Sequence, residues 1–254
     1  DEAIRLNPQF VSAYDNRGSV KNANKDLVGA IKDYDEAIRL NPQFANAYYN
    51  RGLTKYANKD FVGAIKDYDE AIRLNPQDTE AYYNRGSAKK EIRDLVGAIQ
   101  DYDETIRLNP QYAEAYNNRG VTKYANKDLV GAIQDFDEAI RLNPQFVSAY
   151  NNRGSVKNAS RDLVGAIQDY DEALRFNPQF AEAYINRGNA KYANKDFVGA
   201  IQDYDEVIRL NPQDTDAYYN RGSAKKEIRD LVGAIQDYDE AIRLNPQYAE
   251  AYNN

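Results

Sequence analysis

Apolar residues return along this chain at spacings of three and four. In the clearest stretch, Leu27, Ala30, Ile31, Tyr34, Ala37 and Ile38 form one stripe of helical period. The stripe predicts a helix that begins behind Asp26, whose carboxylate can cap the free amides of the first turn. It ends at Asn41-Pro42, because proline cannot continue a helix. A second, less apolar helix is predicted just before it, from about Val11 to Ala23, with Ala13, Tyr14, Gly18 and Val20 as its stripe. We call these helix B and helix A.

The pair repeats. All eight prolines, from Pro8 to Pro246, stand 34 residues apart, and the fourteen glycines form two series of the same period that start at Gly18 and Gly29. Full repeats then occupy residues 11–44, 45–78, 79–112, 113–146, 147–180, 181–214 and 215–248 of one continuous array over 1–254. Residues 1–10 read as the end of a preceding repeat and 249–254 as the start of another. A glycine inside a helix costs about 1 kcal/mol relative to alanine, so its recurrence needs a packing reason, and close approach of the two helix backbones would supply one. Neither helix alone buries enough surface to offset its ordering entropy, so each pair must stack on its neighbours. A longer period is superimposed. Residues 1–118 match residues 137–254 at all but fourteen positions, which reads as duplication of a four-repeat block and suits an array grown by recombination better than a consensus design. The chain opens within a helix B, at Asp1 to Leu6, and closes within a helix A, at Ala251 to Asn254, so it is expected to be a piece of a longer array.

Within the repeat, position 1 is Val11 and position 34 is Phe44. Tyr14, Gly18, Ala30, Tyr34, Ala37 and Pro42, with their counterparts in every full copy, make a pattern that resembles the tetratricopeptide repeat family over the whole chain. The resemblance implies an all-α fold, a right-handed superhelical solenoid of antiparallel helix pairs, with the polar face of helix A lining a concave groove. Arg17 and Lys21 depart from the family pattern, which places leucine and an aromatic there, and both recur in every full copy up to Arg221 and Lys225.

Composition narrows the chemistry. A net charge of -7 is the wrong sign for gripping nucleic acid. Without cysteine or histidine there is no disulfide, thiolate zinc site, thiol nucleophile or imidazole proton shuttle. The recurring serines, such as Ser19, Ser87 and Ser223, have no base near them in sequence. No apolar run approaches a membrane span and no signal-like segment is present. We therefore expect a soluble, cytoplasmic, non-enzymatic chain with no catalytic residue, cofactor or metal and neither nucleic acid nor membrane as partner. The carboxylates Asp33, Asp35 and Glu36 are read as a solvated outer face of helix B rather than an acid pair or cation site, with Asp35 bracing Arg39 four residues on.

Arg17 and Lys21 lie four apart where helix A should face the core. Their stems are expected to cover apolar surface while their heads reach a helix B carboxylate, Asp33 or a neighbouring repeat's equivalent. The alternative is a basic stripe for an anionic ligand, against which the periodic Asp33 series argues. On the structural reading, leucine at Arg119 would leave ligand binding intact.

The opposite face of helix A carries positions 2, 5, 6, 9, 12 and 13. Position 6 is asparagine throughout: Asn16, Asn50, Asn84, Asn118, Asn152, Asn186 and Asn220, with Asn254 in the incomplete last copy. A carboxamide can pair with both N–H and C=O of an extended peptide, so the series looks like the asparagine ladder of some groove-binding repeat proteins. The other possibility is local bonding to the helix backbones of the next repeat. Tyr49, Tyr83 and Tyr219 at position 5, and Tyr56, Tyr124 and Tyr192 at position 12, add aromatic area beyond the core tyrosines expected at positions 4 and 24. Positions 2, 5 and 6 hold no basic residue but do hold Glu80, Glu114, Glu182 and Asp216, so the basic clamp with which some family members grip a terminal carboxylate is not expected. The expected function is a scaffold that holds a protein or an extended peptide segment of polar or basic character on this face. The alternative is a structural array that associates head to tail through apolar surface open at Leu6 and Ala251.

Overall fold

A computed structural model describes residues 2–247. Among these residues the chain is all helix: α1 (Glu2–Leu6), α2 (Val11–Ala23), α3 (Leu27–Leu40), α4 (Ala45–Ala57), α5 (Phe61–Leu74), α6 (Thr79–Glu91), α7 (Leu95–Leu108), α8 (Ala113–Ala125), α9 (Leu129–Leu142), α10 (Val147–Ala159), α11 (Leu163–Phe176), α12 (Ala181–Ala193), α13 (Phe197–Leu210), α14 (Thr215–Glu227) and α15 (Leu231–Leu244). Tyr248, Ala251 and Asn254 lie outside the described residues. The chain divides into two compact units, residues 1–128 and 129–254. In the first unit α2, α4 and α6 each pack on the helix that follows, each of α3, α5 and α7 packs on the next helix A, and successive A helices touch. The second unit repeats this scheme from α9 to α15.

Local chemistry sets the ends of each helix. The Asp26 carboxylate accepts from the Gly29 N–H at 2.9 Å, and Asp60, Asp94, Asp162, Asp196 and Asp230 do the same in their copies. A Cβ on Gly29 would come within 2.1 Å of that carboxylate, so the second glycine series makes room for the cap and not, as expected, for a neighbouring backbone. Helix A closes through a bond from Asp26 N–H to the Lys21 carbonyl, 2.9 Å, with Lys25 between them at φ 63°. Every described repeat places a basic residue at this left-handed position, where its charge meets the negative helix end. Asn41 takes extended backbone before Pro42, and its side chain accepts from Gln43 N–H at 3.0 Å.

The first glycine series has the other role. A Cβ on Gly18 would meet the Tyr34 ring at 2.7 Å, and the same holds for Gly52 against Tyr68 and Gly188 against Tyr204. Each of these glycines thus seats a buried aromatic ring, and at Gly86 and Gly222 a Cβ would also meet a helix B carbonyl, of Ala98 at 3.3 Å and Ala234 at 3.2 Å, so the expected backbone approach is found there. The position-24 rings are fully buried, whereas the position-4 tyrosines, expected in the core, are half-buried with the position-7 arginine 5.3 to 5.6 Å from the ring centre. Val20, also expected in the stripe, is 60% exposed, while its counterpart Val156, covered by α9, is 0% exposed.

Burying tyrosine obliges its hydroxyl to find a partner. The Tyr34, Tyr170 and Tyr238 hydroxyls donate to Ser19, Ser155 and Ser223 at 3.3 Å, Tyr102 pairs with Ser87 at 3.1 Å, and Tyr204 donates to Asn189 at 2.8 Å. In each case the partner is position 9. Leu53 stands at that position opposite Tyr68, whose hydroxyl is buried without a hydrogen-bond partner. The fourth repeat avoids the conflict in sequence, with Val121 and Phe136 at the two positions.

A buried carboxylate ties helix A to helix B. The position-23 aspartates, Asp33 to Asp237, are 2 to 4% exposed. Asp33 receives a two-pronged bond from Arg17, 2.7 and 2.8 Å, and an ion pair from Lys21 at 2.8 Å. The same triad recurs at Arg51, Lys55 and Asp67 and at Arg187, Lys191 and Asp203. Burial alone would push the Asp33 carboxyl up, but Arg17 and Lys21 outweigh it and hold it below the usual range. The arginine also reaches backward: Arg51 bonds Asp35 at 2.6 Å, Arg85 bonds Asp69 at 2.7 Å, and Arg153 bonds Asp137 at 2.5 Å. Arg51, Arg85, Arg153, Arg187 and Arg221 therefore each clamp two consecutive B helices. Asp35 is spent on this inter-repeat bond and does not brace Arg39, which pairs with Glu36 three residues before it at 2.6 Å.

Two outcomes follow from this interior. Tyr68→Phe removes an unsatisfied buried hydroxyl and should stabilise the protein by about 1 kcal/mol, whereas Tyr204→Phe breaks a bond and should cost about 1 kcal/mol. Urea unfolding of both variants decides it, and equal destabilisation would contradict the assignment. A second measurement is unfolding against pH. Asp33 is depressed in the folded state, so its contribution is present above the unfolded value, about 3.9, and is lost as pH falls below it. Burial raises Tyr68, Tyr102 and Tyr204, so their contribution holds below about pH 10 and is lost above it. With no histidine or cysteine to titrate between, the unfolding midpoint should be flat from about pH 5 to 9. A step near pH 6.5 would be inconsistent.

Candidate functional site

The polar face of helix A carries the candidate residues, and the structure adds a contact not foreseen. Asparagines at position 6 donate to the side chain at position 5 of the preceding repeat. Asn50 Nδ2 reaches Asp15 at 3.0 Å, Asn84 reaches the Tyr49 hydroxyl at 3.0 Å, Asn118 reaches the Tyr83 hydroxyl at 2.7 Å and Asn186 reaches Asn151 at 3.0 Å. The partner is thus a side chain of the repeat before and not a backbone of the repeat after. Asn84 also bonds a backbone carbonyl, that of Glu80 in its own helix, at 2.9 Å. Asn16 is exposed beside Ala13, Val20 and Phe10, and Asn152 and Asn220 are half-buried. The bonded carboxamides of Asn50, Asn84 and Asn186 keep their oxygen, that of Asn118 accepts from Asn117 Nδ2 at 3.3 Å, and all but Asn84 keep one N–H for another partner.

The position-5 tyrosines lean on the core. Tyr49 tilts over Tyr68 with ring centres 6.1 Å apart, Tyr83 lies 5.8 Å from Tyr102, and Tyr219 lies 5.8 Å from Tyr238. Burial, with Glu80 and Asp78 nearby, pushes the Tyr49 phenol up to about 12. Tyr112, at position 34, stacks on Tyr83 at 5.0 Å and donates to Glu80 at 3.0 Å. The position-12 tyrosines are more open. Tyr56 and Tyr192 sit edge-on against Phe61 and Phe197 at 5.2 and 5.3 Å, and Tyr124 is 38% exposed. Burial and Glu91 raise the Tyr56 phenol, while Tyr192 donates to Glu227 at 3.5 Å.

Charge is divided between the two sides of helix A. The position-7 and position-11 cations turn toward helix B aspartates, as described. The exposed carboxylates Glu80, Glu114 and Glu182 at position 2 have no arginine or lysine paired with them among the described residues; Glu80 accepts from Tyr112, and Glu182 accepts from Asn151 at 3.0 Å. Lys90 and Lys226 stand at position 12 beside Glu91 and Glu227. Asp33, Asp35 and Glu36 each pair with a different cation. Among the described residues no helix is long and apolar enough to cross a membrane.

Comparison with known proteins fits this geometry. The family model described as TPR repeat matches residues 18–59, 94–127, 162–195 and 188–228, and models described as tetratricopeptide repeat match residues 45–78, 113–146 and 215–248. The chain belongs to the tetratricopeptide repeat family. Its fold is that of the family's helical solenoids, scaffolds for protein and peptide interaction that are in general not catalytic. A tetratricopeptide repeat protein from Parabacteroides merdae ATCC 43184 is similar in structure, with TM-score 0.73 and 19% identity over 96% of each chain. YrrB, described as a TPR protein with an unusual peptide-binding site, matches with TM-score 0.62 and 22% identity, covering 73% of this chain and 96% of that one. MamA matches with TM-score 0.62 and 26% identity over 65% of this chain and 96% of its own. No curated protein matches the chain in sequence.

The coupling of positions 5 and 6 escaped the sequence reading because it joins residues 35 apart, just over one repeat, and no pattern within a helix shows it. It sets a test. Asn118→Ala removes the bond to Tyr83 and should cost about 1 kcal/mol. Asn220, which faces Ile185 in the register where Asn84 faces Tyr49, should tolerate alanine at nearly no cost. Unfolding midpoints of the two variants compare them, and equal losses would refute the coupling.

Proposed function

We propose that the polar face of helix A binds an extended polypeptide segment of basic or polar character. The observation that carries this reading is the division of charge: the helix A cations at positions 7 and 11 are bonded inward to aspartates and only Lys90 and Lys226 stand on this face, while Glu80, Glu114 and Glu182 stay exposed with no cationic partner among the described residues. Complementary charge steers a basic segment to this face. The asparagine oxygens and remaining N–H groups offer hydrogen bonds to its backbone, and Tyr56, Tyr124 and Tyr192 offer contact area to its side chains. The asparagines hold successive repeats in register as well, so the rungs a ligand would meet are already fixed in place. At about 1 kcal/mol per rung, less the cost of ordering the ligand, affinity falls in the micromolar range or weaker.

Selection of random peptides displayed on phage by the full chain tests the reading. Enriched sequences should carry excess lysine and arginine, and their binding should weaken with added salt. The triple variant Glu80→Gln, Glu114→Gln, Glu182→Gln should weaken it about tenfold. The Asn84, Asn118 and Asn152 changes to alanine should reduce capture too, with circular dichroism as a check on folding. Acidic or purely apolar sequences, or capture unaffected by both triples, would exclude the proposal.

A further inference from the structure

The two four-repeat blocks share a scaffold, yet two of their fourteen differences meet at one spot on helix A. Where the first block has Tyr49 and Leu53, the second has Ile185 and Asn189. In the first unit Leu53 packs on the Tyr68 cluster, Tyr49 covers Tyr68, and Asn84 donates to the Tyr49 hydroxyl. In the second unit the corresponding place, between α12 and α14, is a cavity of about 270 Å³ lined by Asn189, Tyr192, Tyr204, Tyr219, Asn220 and Ser223.

The polar groups of this cavity are unevenly engaged. The Tyr204 hydroxyl donates to Asn189 Oδ1 at 2.8 Å, which leaves the Asn189 N–H₂ as donor. Ser223 accepts from Tyr238 and donates to the Tyr219 carbonyl, which leaves it one acceptor lone pair and no donor. Among the described residues Asn220 has no side-chain hydrogen bond, and the residue in its partner's place is the hydrocarbon Ile185. A half-buried carboxamide with both functions open, a second amide donor and tyrosine rings around them therefore face one cavity. Glu227 stands at its edge, 3.5 Å from the Tyr192 hydroxyl.

Chemistry selects among occupants. A guanidinium or ammonium group could donate to Asn220 Oδ1 but carries no acceptor, and would leave the Asn189 and Asn220 N–H groups unanswered. A carboxylate would meet Glu227. A neutral carboxamide matches, since its oxygen accepts from Asn189 and Asn220 while its N–H₂ donates to Asn220 Oδ1, with its stem against the rings. We infer that this cavity is a subsite for a glutamine or asparagine side chain of the bound polypeptide, present in the second block and closed in the first. The inference rests on the peptide-binding reading above.

The test exchanges the two blocks' residues. Ile185→Tyr with Asn189→Leu copies an arrangement the chain already folds with at Tyr49 and Leu53, so the variant should fold. Peptides selected from the random library by the unmodified full chain should carry glutamine or asparagine at one fixed register position. They should lose at least tenfold in affinity for the exchanged variant and for a change of that residue to glutamate or lysine. Selected peptides with lysine, arginine or glutamate there, no preference, or equal binding to the exchanged variant would overturn the subsite and leave the peptide-binding reading standing. Should no peptide be enriched, that broader reading fails. The subsite then stands or falls on capped glutamine amide, titrated at millimolar concentration against isotope-labelled chain. Saturable shifts of the Asn189 and Asn220 side-chain N–H₂ signals, absent with capped lysine or capped glutamate, support it, and no shift or equal shifts with all three overturn it.

Discussion

A carboxylate buried in the middle of each helix B governs this protein. Asp67 and its counterparts are nearly inaccessible, and a buried charge is tolerated only when paired and hydrogen-bonded. Arg51 and Lys55 meet that demand from helix A, and the guanidinium reaches on to Asp35 of the previous helix B. Helix A is thereby fixed in rotation with its cations inward. Its other face is left with asparagine, tyrosine, exposed carboxylates and, in two copies, Lys90 and Lys226, so the interior ion network decides the character of the outer surface.

That surface is also part of the scaffold. Asn84 and Asn118 join one repeat to the tyrosine of the repeat before, and those tyrosines cover the core rings. The copies nevertheless vary on this face, at positions 5, 9 and 12 among others, as Tyr49, Asn151 and Ile185 show. Where they do differ, the effect is local. Leu53 leaves the Tyr68 hydroxyl unpaired, and Ile185 leaves Asn220 without its partner. The first is an interior conflict, and the second leaves polar groups unengaged at a cavity.

Much of this was legible from spacing alone. The apolar stripes, Asp26 before Gly29 and Asn41 before Pro42 gave the helices and their ends, because caps and periodicity act over a few residues. The pairing of Arg17 and Lys21 with Asp33 was legible too, since a periodic charge turned inward needs an opposite charge of the same period. Two readings erred for one reason. Spacing places Gly29 where it could ease helix packing and Asp35 one turn from Arg39, yet a cap claims the first and the next repeat claims the second. Sequence spacing places residues on a face but does not rank competing partners.

The sequence by itself determined the repeat, its helices, their polarity and the sign of the charge on each face, all of which follow from short-range periodicity. Only the tertiary structure decided which groups remain open. Whether a carboxamide such as Asn84 or Asn220 is bonded depends on the residue 35 positions earlier, and whether a tyrosine hydroxyl is satisfied depends on the residue 15 positions earlier on another helix. Those separations are bridged by packing, which alone brings the partners within hydrogen-bond distance.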